Sequence, residues 1–192
     1  MSRLILVRHA EPVEEARGRC YGTLDVALSP RGIEQALALD LAMDHVDAVV
    51  SSPRVRAVQT AEPLARRYGV RVETDDRLRE LDFGDFEGRT YEEIEREQPE
   101  VFREWMTSPT TVRFPNGESY ADLRERATVA LDELRLRHTA AVVVTHGGVI
   151  RAGLAGWLEL PDHAIFRLDQ RYCGVTIVDW LGDEPIVRSL NG

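Results

Sequence analysis

The chain has 192 residues, 43% of them hydrophobic and 30% charged, and its 33 acidic against 24 basic residues give a formal net charge of -9. A chain of this length normally forms one compact domain that needs neither disulfides nor metal for stability. The acidic balance argues against nucleic acid or an anionic membrane surface as the partner, but a few arginines in a cleft could still bind a small anion.

The N-terminal apolar run and the cysteines indicate the cellular setting. Residues 4–7 are too few for a signal-peptide core, and Arg8-His9 follows them instead of a cleavage site. No stretch approaches the roughly 20 apolar residues of a membrane-spanning helix. Cys20 and Cys173 are far apart in sequence and match neither a disulfide framework nor a zinc motif. We therefore expect a soluble, cytoplasmic protein.

The first part of the chain alternates short aliphatic runs with amphipathic segments. Aliphatic runs predict strands at 4–7 and 48–50, with a third, short strand at 70–73. A serine-proline pair precedes each of two apolar patterns of helical spacing, as a helix N-cap followed by a proline at the first helical position does. These helices are expected from Ser29-Pro30 through Leu41 and from Ser52-Pro53 through Leu64.

The second part continues the alternation. Two capping boxes, one at Thr90 with Glu93 and one at Ser119 with Asp122, predict helix starts, and Pro99 interrupts the first of these helices. Further expected elements are a loop at 109–117, a strand at 141–144, a helix at 149–157 and strands at 175–180 and 186–190. This order predicts an α/β layered domain with a largely parallel sheet. The segment from about 82 to 116 is interpreted as a helical insertion that covers the active site.

Arginine and histidine follow three of the predicted strands. They occur as Arg8-His9, as Arg56 after Ser51-Ser52-Pro53, and as His146 after Thr145. Ligands of open parallel sheets bind beyond the carboxyl ends of the strands, where these groups would converge. Each histidine alone could be structural, and Arg56 alone could be solvated. Together these groups would repel one another unless an anion such as phosphate neutralised their charge. The backbone N–H groups at the helix start at Ser52 would also favour a bound anion.

Glu80 supplies a candidate proton donor. It lies in the segment 78–88, which also carries two aromatic residues and two glycines. A carboxyl group beside a bound phosphate should have a raised pKa, which suits a general acid at neutral pH. The alternative interpretation of the segment is a solvated acidic loop.

Four motifs in this order and spacing are found together in one family. They are Arg8-His9-Ala10-Glu11, residues 51–61, Arg79-Glu80 with residues 83–88, and residues 144–148, with weaker matches at 18–22, 28–36 and 116–119. The sequence resembles the histidine phosphatase superfamily, which includes cofactor-dependent phosphoglycerate mutases, fructose-2,6-bisphosphatases and alpha-ribazole phosphatases. The resemblance covers nearly the whole chain and implies one domain over 1–192, a three-layer α/β/α fold with a mostly parallel central sheet.

The resemblance also implies a mechanism. His9 would be the nucleophile that forms a phosphohistidine, and Glu80 would protonate the leaving oxygen and then activate water. The phosphoryl oxygens would be held by Arg8, Arg56 and His146, without metal or any other cofactor. The pocket for a small phosphorylated metabolite would be lined by the same groups together with Tyr21, Gly22 and Gly147. Inorganic phosphate would be the product.

Several positions depart from the family pattern. Ala10 replaces the usual glycine and Pro12 a common threonine or serine, and Glu15 stands where many relatives have an asparagine that touches the phosphate or the nucleophile. Since a carboxylate beside a phosphate would be repulsive, we expect Glu15 to turn away or its loop to be rearranged. Phe83 replaces a substrate-contacting tyrosine of the mutases. Mutases also carry an extra arginine pair in a longer insertion, where this chain has only Arg113.

These features favour a metal-independent phosphatase over the alternatives. A mutase must hold a second anionic group, which the missing arginine pair would bind. A non-catalytic anion-binding module could have lost any of the five site residues, and the two site histidines lack the spacing of a metal site. The aromatic residues of the insertion could form a wall for a ribose-linked substrate or simply its core; they are Phe83, Phe86, Trp105 and Phe114. The sequence leaves the oligomeric state open, although homodimers are common in the family.

Overall fold

A six-stranded sheet forms the centre of the computed structural model, which describes residues 2–192. The strands are β1 (Ser2–Arg8), β2 (Ala48–Ser51), β3 (Val72–Thr74), β4 (Ala140–Thr145), β5 (Val175–Leu181) and β6 (Glu184–Ser189). Their order across the sheet is β3-β2-β4-β1-β5-β6. The first four of these are mutually parallel, whereas at one edge β5 pairs antiparallel with β1 and β6 pairs antiparallel with β5. The expected α/β fold with a mostly parallel sheet is confirmed.

Helices lie in the connections between the first five strands, whereas a two-residue turn joins β5 to β6. The helices are α1 (Pro30–Ala38), α2 (Val55–Tyr68), α3 (Tyr91–Glu97), α4 (Pro99–Thr107), α5 (Tyr120–Arg137), α6 (Gly147–Trp157) and α7 (Asp162–Ile165), with short 3-10 helices at Glu14–Ala16, Asp76–Leu78 and Gly84–Phe86. Ser29 caps α1, and both predicted capping boxes form, at Thr90 and at Ser119. None of the helices within residues 2–192 is both long enough and apolar enough to cross a membrane.

The alternation of side chains along the strands produces two apolar layers. In β1, Leu4 and Leu6 pack into a core shared with α5 and α6, whereas Ile5 and Val7 pack into a second core shared with α2. All four side chains are fully buried. Strands buried on both faces read as continuous aliphatic runs, which is why β1 and β4 were recognisable from sequence. The helices on both faces give the three-layer arrangement.

Two helix boundaries differ from the expectation. Helix α2 begins at Val55 and not at Pro53, because the backbone N–H of Ser52 still pairs with the carbonyl of Val144 and so extends the sheet. Helix α1 ends at Ala38, before Leu41.

The third strand also begins later than the sequence indicates. Gly69 ends α2 in the left-handed conformation (φ 68°), and the N–H of Val70 then donates to the carbonyl of Ala65. This C-cap geometry satisfies carbonyl groups of the last helical turn. Since Val70 is engaged in it, β3 starts only at Val72.

Candidate active site

His9 lies at the centre of the sheet edge, directly after β1. It is 2% exposed, and its Nδ1 lies 2.7 Å from the carbonyl oxygen of Ala10. A carbonyl oxygen can only accept, so Nδ1 must carry the ring proton and Nε2 keeps its lone pair. Burial and the positive charges of Arg56 and Arg8 hold the pKa of His9 well below its usual value. The ring is therefore neutral at neutral pH, with an unprotonated nitrogen available for reaction.

His146 lies against His9, at the N-cap position of α6. The two ring centroids are 5.1 Å apart, and Nε2 of His146 is 2.8 Å from Oγ of Ser52. The Ser52 oxygen accepts from the backbone N–H of Arg54, so its own proton is available to Nε2. In that tautomer Nδ1 of His146 carries a proton. This buried atom has no hydrogen-bond partner within residues 2–192.

The neutral state of His9 in the folded protein should be visible in how the stability of the protein depends on pH. In the unfolded chain a histidine has a pKa of about 6.5. Because the folded-state pKa is depressed, the unfolded state alone binds this proton below pH 6.5, and stability falls as the pH falls. Lowering the pH from 7.5 to 5.5 should therefore lower the free energy of unfolding of the wild type. In urea titrations, we expect this decrease to be about 1 kcal/mol smaller in His9→Gln. The exposed His163→Gln serves as the control, and an unchanged pH dependence in His9→Gln would contradict the neutral assignment.

Arg8 and Arg56 present two fixed guanidinium groups. Arg56 is fully buried, and its two terminal nitrogens donate to three carbonyls of the loop 21–24 at 2.8, 3.2 and 3.1 Å. Nη1 of Arg8 donates to the carbonyl of Gln170 at 2.6 Å. The Nε atoms of both arginines are buried and have no partner in the described chain. The hydrogen bonds to backbone carbonyls fix the orientation of the two guanidinium groups, whose planar arrangement of donors matches the oxygens of a phosphate group.

Tyr21 and Tyr172 form a pair over these arginines. Their hydroxyl oxygens are 2.9 Å apart, and the guanidinium carbons of Arg56 and Arg8 lie 5.0 and 4.3 Å from the ring centroids of Tyr21 and Tyr172. Both rings also contact His9, at centroid distances of 6.3 and 5.6 Å. Tyr172 was not predicted, because it lies in a loop without a motif before β5. The pair positions the arginines and His9 against one another.

Glu80 is held by two backbone N–H groups. Leu81 donates to Oε1 at 3.0 Å, and Gly148, in the first turn of α6, donates to Oε2 at 3.2 Å. The loop that carries Glu80 is fixed by Arg126, which donates to the carbonyls of residues 77, 79 and 80 and pairs with Glu118 at 2.7 Å. Arg126 is a further residue missed from sequence, since on α5 it reads as an ordinary solvated residue.

Gly148 leaves room for this carboxylate. A Cβ atom at position 148 would lie 2.3 Å from Oε1 of Glu80. Because that atom is the far end of a flexible side chain, Gly148→Ala should displace the Glu80 carboxylate at small cost in stability. We expect about a tenfold or greater fall in kcat with little change in melting temperature, since a general acid contributes about 10²-fold or more. Gly156→Ala, at a site on α6 with open space around it, is the control. Unchanged kcat in Gly148→Ala would contradict the placement of Glu80.

The candidate catalytic groups meet at a cavity of about 160 Å³. It is lined by Arg8, His9, Arg19, Cys20, Tyr21, Arg56, Glu80, Phe83 and Tyr91. Of the predicted site residues, His146, Gly22 and Gly147 are not among those that line the cavity, although the ring of His146 contacts that of His9. Gly22 instead allows close packing, because a Cβ there would lie 1.7 Å from the carbonyl oxygen of Leu81. Gly147 packs beside Arg151 and Gln170.

The positions that depart from the family pattern lie mostly outside this cavity. Glu15 is exposed in the first 3-10 helix and, like Pro12, lines a separate groove of about 880 Å³. Glu15 is thus a lining residue of that groove and is not among the residues that line the cavity of His9. Arg113 is also outside, where it bonds the carbonyl of Gly117 and pairs with Asp122.

Three of the four aromatic residues proposed as a substrate wall are core instead. Phe86 and Phe114 are 1% exposed, and Trp105 packs on Phe114 at a ring-centroid distance of 5.0 Å. Phe83 does line the cavity, together with Tyr91, which stacks on Trp105. The sequence could not separate these cases, since an aromatic residue in an insertion suits a core and a pocket equally well. Across residues 2–192 no group of three or more metal-ligating side chains is placed to hold a metal ion.

The arrangement defines a class of protein: an α/β domain whose sheet edge carries unpartnered guanidinium N–H groups, among the described residues, beside a neutral, buried histidine. Comparison with known families gives the particular one. Residues 4–192 match the model of the histidine phosphatase superfamily, branch 1. The chain belongs to this superfamily, which confirms the resemblance seen in its motifs.

Relatives with different activities are similar to this chain. Phosphoserine phosphatase 1 of Hydrogenobacter thermophilus is 42% identical over 156 residues, which cover 79% of this chain and 74% of that protein. A probable phosphoglycerate mutase of Yersinia enterocolitica is 33% identical, with 98% and 92% covered. The solved structure of a mycobacterial glucosyl-3-phosphoglycerate phosphatase has a TM-score of 0.88 at 29% identity and covers 100% of this chain and 99% of its own.

Proposed function

We propose that this protein is a phosphomonoester hydrolase that acts through a phosphohistidine at His9. The observation that carries the proposal is a neutral histidine beside buried N–H donors on Arg8, Arg56 and His146, for which residues 2–192 provide no hydrogen-bond partner. Burial of such donors without a partner is costly unless an anion accepts from them. Names of the relatives support the same class of reaction.

Each group has a defined task in the proposed reaction. The lone pair of His9 Nε2 attacks phosphorus in line with the ester oxygen, and the P–O bond breaks as the N–P bond forms. The arginines and His146 donate to the equatorial oxygens, where negative charge builds up. Glu80 in its protonated form transfers its proton to the leaving alkoxide. It then accepts a proton from the water that attacks the phosphohistidine, so that inorganic phosphate leaves and His9 is regenerated.

The substrate is proposed to be a small phosphorylated metabolite, with phosphoserine as the leading candidate. A cavity of about 160 Å³ has room for a short phosphoester, and the insertion contributes Phe83 and Tyr91 to its wall. The buried aromatic cluster of the insertion offers no extended apolar surface for a ribose-linked aromatic alcohol. We propose that the insertion from about 82 to 116 covers the active site through these two side chains.

The mutase alternative has some support from a relative named as a phosphoglycerate mutase. A mutase must hold a substrate that has a second anionic group and return the phosphoryl group from the histidine to a hydroxyl group of that substrate. Arg113, the one arginine between residues 106 and 116, is exposed and engaged with Asp122, away from the cavity. We therefore propose water as the acceptor of the phosphoryl group.

Phosphate release from a panel of esters tests the proposal. The panel contains phosphoserine, 3-phosphoglycerate, alpha-ribazole 5'-phosphate and p-nitrophenyl phosphate, with no added metal. We expect release from the small esters, most rapidly from phosphoserine. With 3-phosphoglycerate and a trace of bisphosphoglycerate, isomerisation faster than phosphate release would establish a mutase instead. No turnover of any ester would favour a non-catalytic anion-binding module.

We further propose that the protein acts in the cytoplasm. Cys20 and Cys173 are both free, and burial raises the pKa of each thiol to about 12. Protonated thiols, buried at Cys20 and half-buried at Cys173, suit a reducing compartment, where cysteines stay free.

A further inference from the structure

Arg19 is a third arginine in the wall of the cavity, and the proposed mechanism does not use it. We propose that Arg19 binds the carboxylate of the substrate and so gives the enzyme a preference for phosphoesters of small hydroxy acids. This inference rests on the proposed phosphatase function and specifies its substrate class.

The position of Arg19 separates it from the phosphoryl end of the cavity. Arg8 and Arg56, at the phosphoryl end, are anchored to the carbonyl of Gln170 and to the carbonyls of the loop 21–24. Arg19 lies instead on the side of the insertion, where its backbone pairs with Thr90. A substrate with its phosphoryl group at His9 would extend its remaining atoms towards this wall.

The guanidinium group of Arg19 is anchored at one corner only. Its Nη1 donates to the carbonyl of Gly88 at 2.7 Å, and the side chain is 40% exposed. Its polar contacts within residues 2–192 are all made by Nη1, so the parallel N–H donors of Nε and Nη2 remain for a ligand. A carboxylate matches such a pair in a bidentate arrangement.

A protein carboxylate lies close to Arg19 without occupying these donors. Oε2 of Glu93 is 3.7 Å from Nη1 and already accepts from the backbone N–H of Thr90 at 2.8 Å. The hydrogen bond from Thr90 lowers the pKa of Glu93, which is therefore ionised. Its charge opposes the binding of a second carboxylate, so the occupancy of Arg19 by substrate should depend on Glu93.

Two esters that differ only in the carboxylate test the proposal. Phosphoserine carries it, and phosphoethanolamine is the same molecule with a hydrogen in its place. We expect Arg19→Gln to lower kcat/KM for phosphoserine by about tenfold or more, mainly through KM, because a hydrogen bond between charged groups is lost. The value for phosphoethanolamine should stay within about twofold of wild type. Arg17→Gln, an exposed position that lines the separate groove, should change neither.

The substitution Glu93→Gln should have the opposite effect to Arg19→Gln, because it should strengthen the binding of the substrate carboxylate. Glutamine can still accept from Thr90, so the capping box of α3 is kept while the negative charge is removed. The preference of this variant for phosphoserine over phosphoethanolamine should rise above that of wild type. This measurement decides the matter even if Arg19→Gln fails to fold: an unchanged preference in Glu93→Gln would then refute the role of Arg19.

Other outcomes separate this inference from the proposed function. Equal losses on both esters in Arg19→Gln would overturn the carboxylate site and leave a structural role. A wild-type enzyme that hydrolyses both esters at equal kcat/KM would also overturn it, while the phosphatase function stands. Failure of the wild type on both esters and on p-nitrophenyl phosphate would refute the phosphatase function itself.

Discussion

Turnover of phosphoserine and of p-nitrophenyl phosphate is expected to fall by about 10⁴-fold or more in His9→Ala, because the loss of a covalent nucleophile removes the reaction path itself. Among the described residues that line the cavity, no other histidine is present to replace it. His146 is turned to Ser52 through Nε2, and its other ring nitrogen carries the proton in the assigned tautomer. The exposed His163→Ala should retain wild-type activity.

The same prediction can be checked by detecting the covalent intermediate directly. Wild-type enzyme quenched in base during turnover should carry one phosphoryl group, measured by intact mass, and acid should remove it, as expected for a phosphoramidate. His9→Ala should carry none. Since alanine leaves a small cavity next to Tyr21 and Tyr172, circular dichroism must show that the variant is folded. A folded variant that keeps one tenth of wild-type activity would refute the nucleophile assignment.

The parts of the fold that were predictable are those with strong local signals. Strands β1 and β4 are aliphatic because both of their faces are buried, and the capping boxes at Thr90 and Ser119 place the starts of α3 and α5. The start of α2 was not predictable in this way. Ser52 there has the local signature of an N-cap, but its backbone continues the sheet and its hydroxyl serves His146, 94 positions away in sequence.

In the candidate site, too, the residues with a local sequence signal could be predicted and those without one could not. Arg8, His9, Arg56 and Glu80 could be proposed because each follows a strand or stands in a family motif, and the structure gathers them around one cavity. Tyr172 carries no such signal, since its role depends on a hydroxyl contact with Tyr21 across 151 residues. Long-range contacts of single side chains are set by tertiary packing, which residue patterns do not encode.

Glu80→Gln is the second substitution with a large expected effect. Loss of the general acid should lower kcat for phosphoserine by about 10²- to 10⁴-fold, because its alkoxide cannot leave without a proton. Glutamine keeps the size of the side chain, although it can accept from only one of the two N–H groups, of Leu81 and Gly148, that hold the carboxylate. Glu125→Gln, an exposed position on α5, is the control.

The leaving group distinguishes loss of the acid from a general disturbance of the site. The p-nitrophenolate ion leaves without protonation, so phosphorylation of His9 by p-nitrophenyl phosphate should remain fast in Glu80→Gln. Hydrolysis of the phosphohistidine should be slow, because the same residue acts as its base. Stopped-flow measurement should therefore show a burst of one p-nitrophenolate per enzyme followed by a slow steady state. Equal losses of the burst rate and of phosphoserine turnover would show that Glu80 shapes the site without transferring the proton.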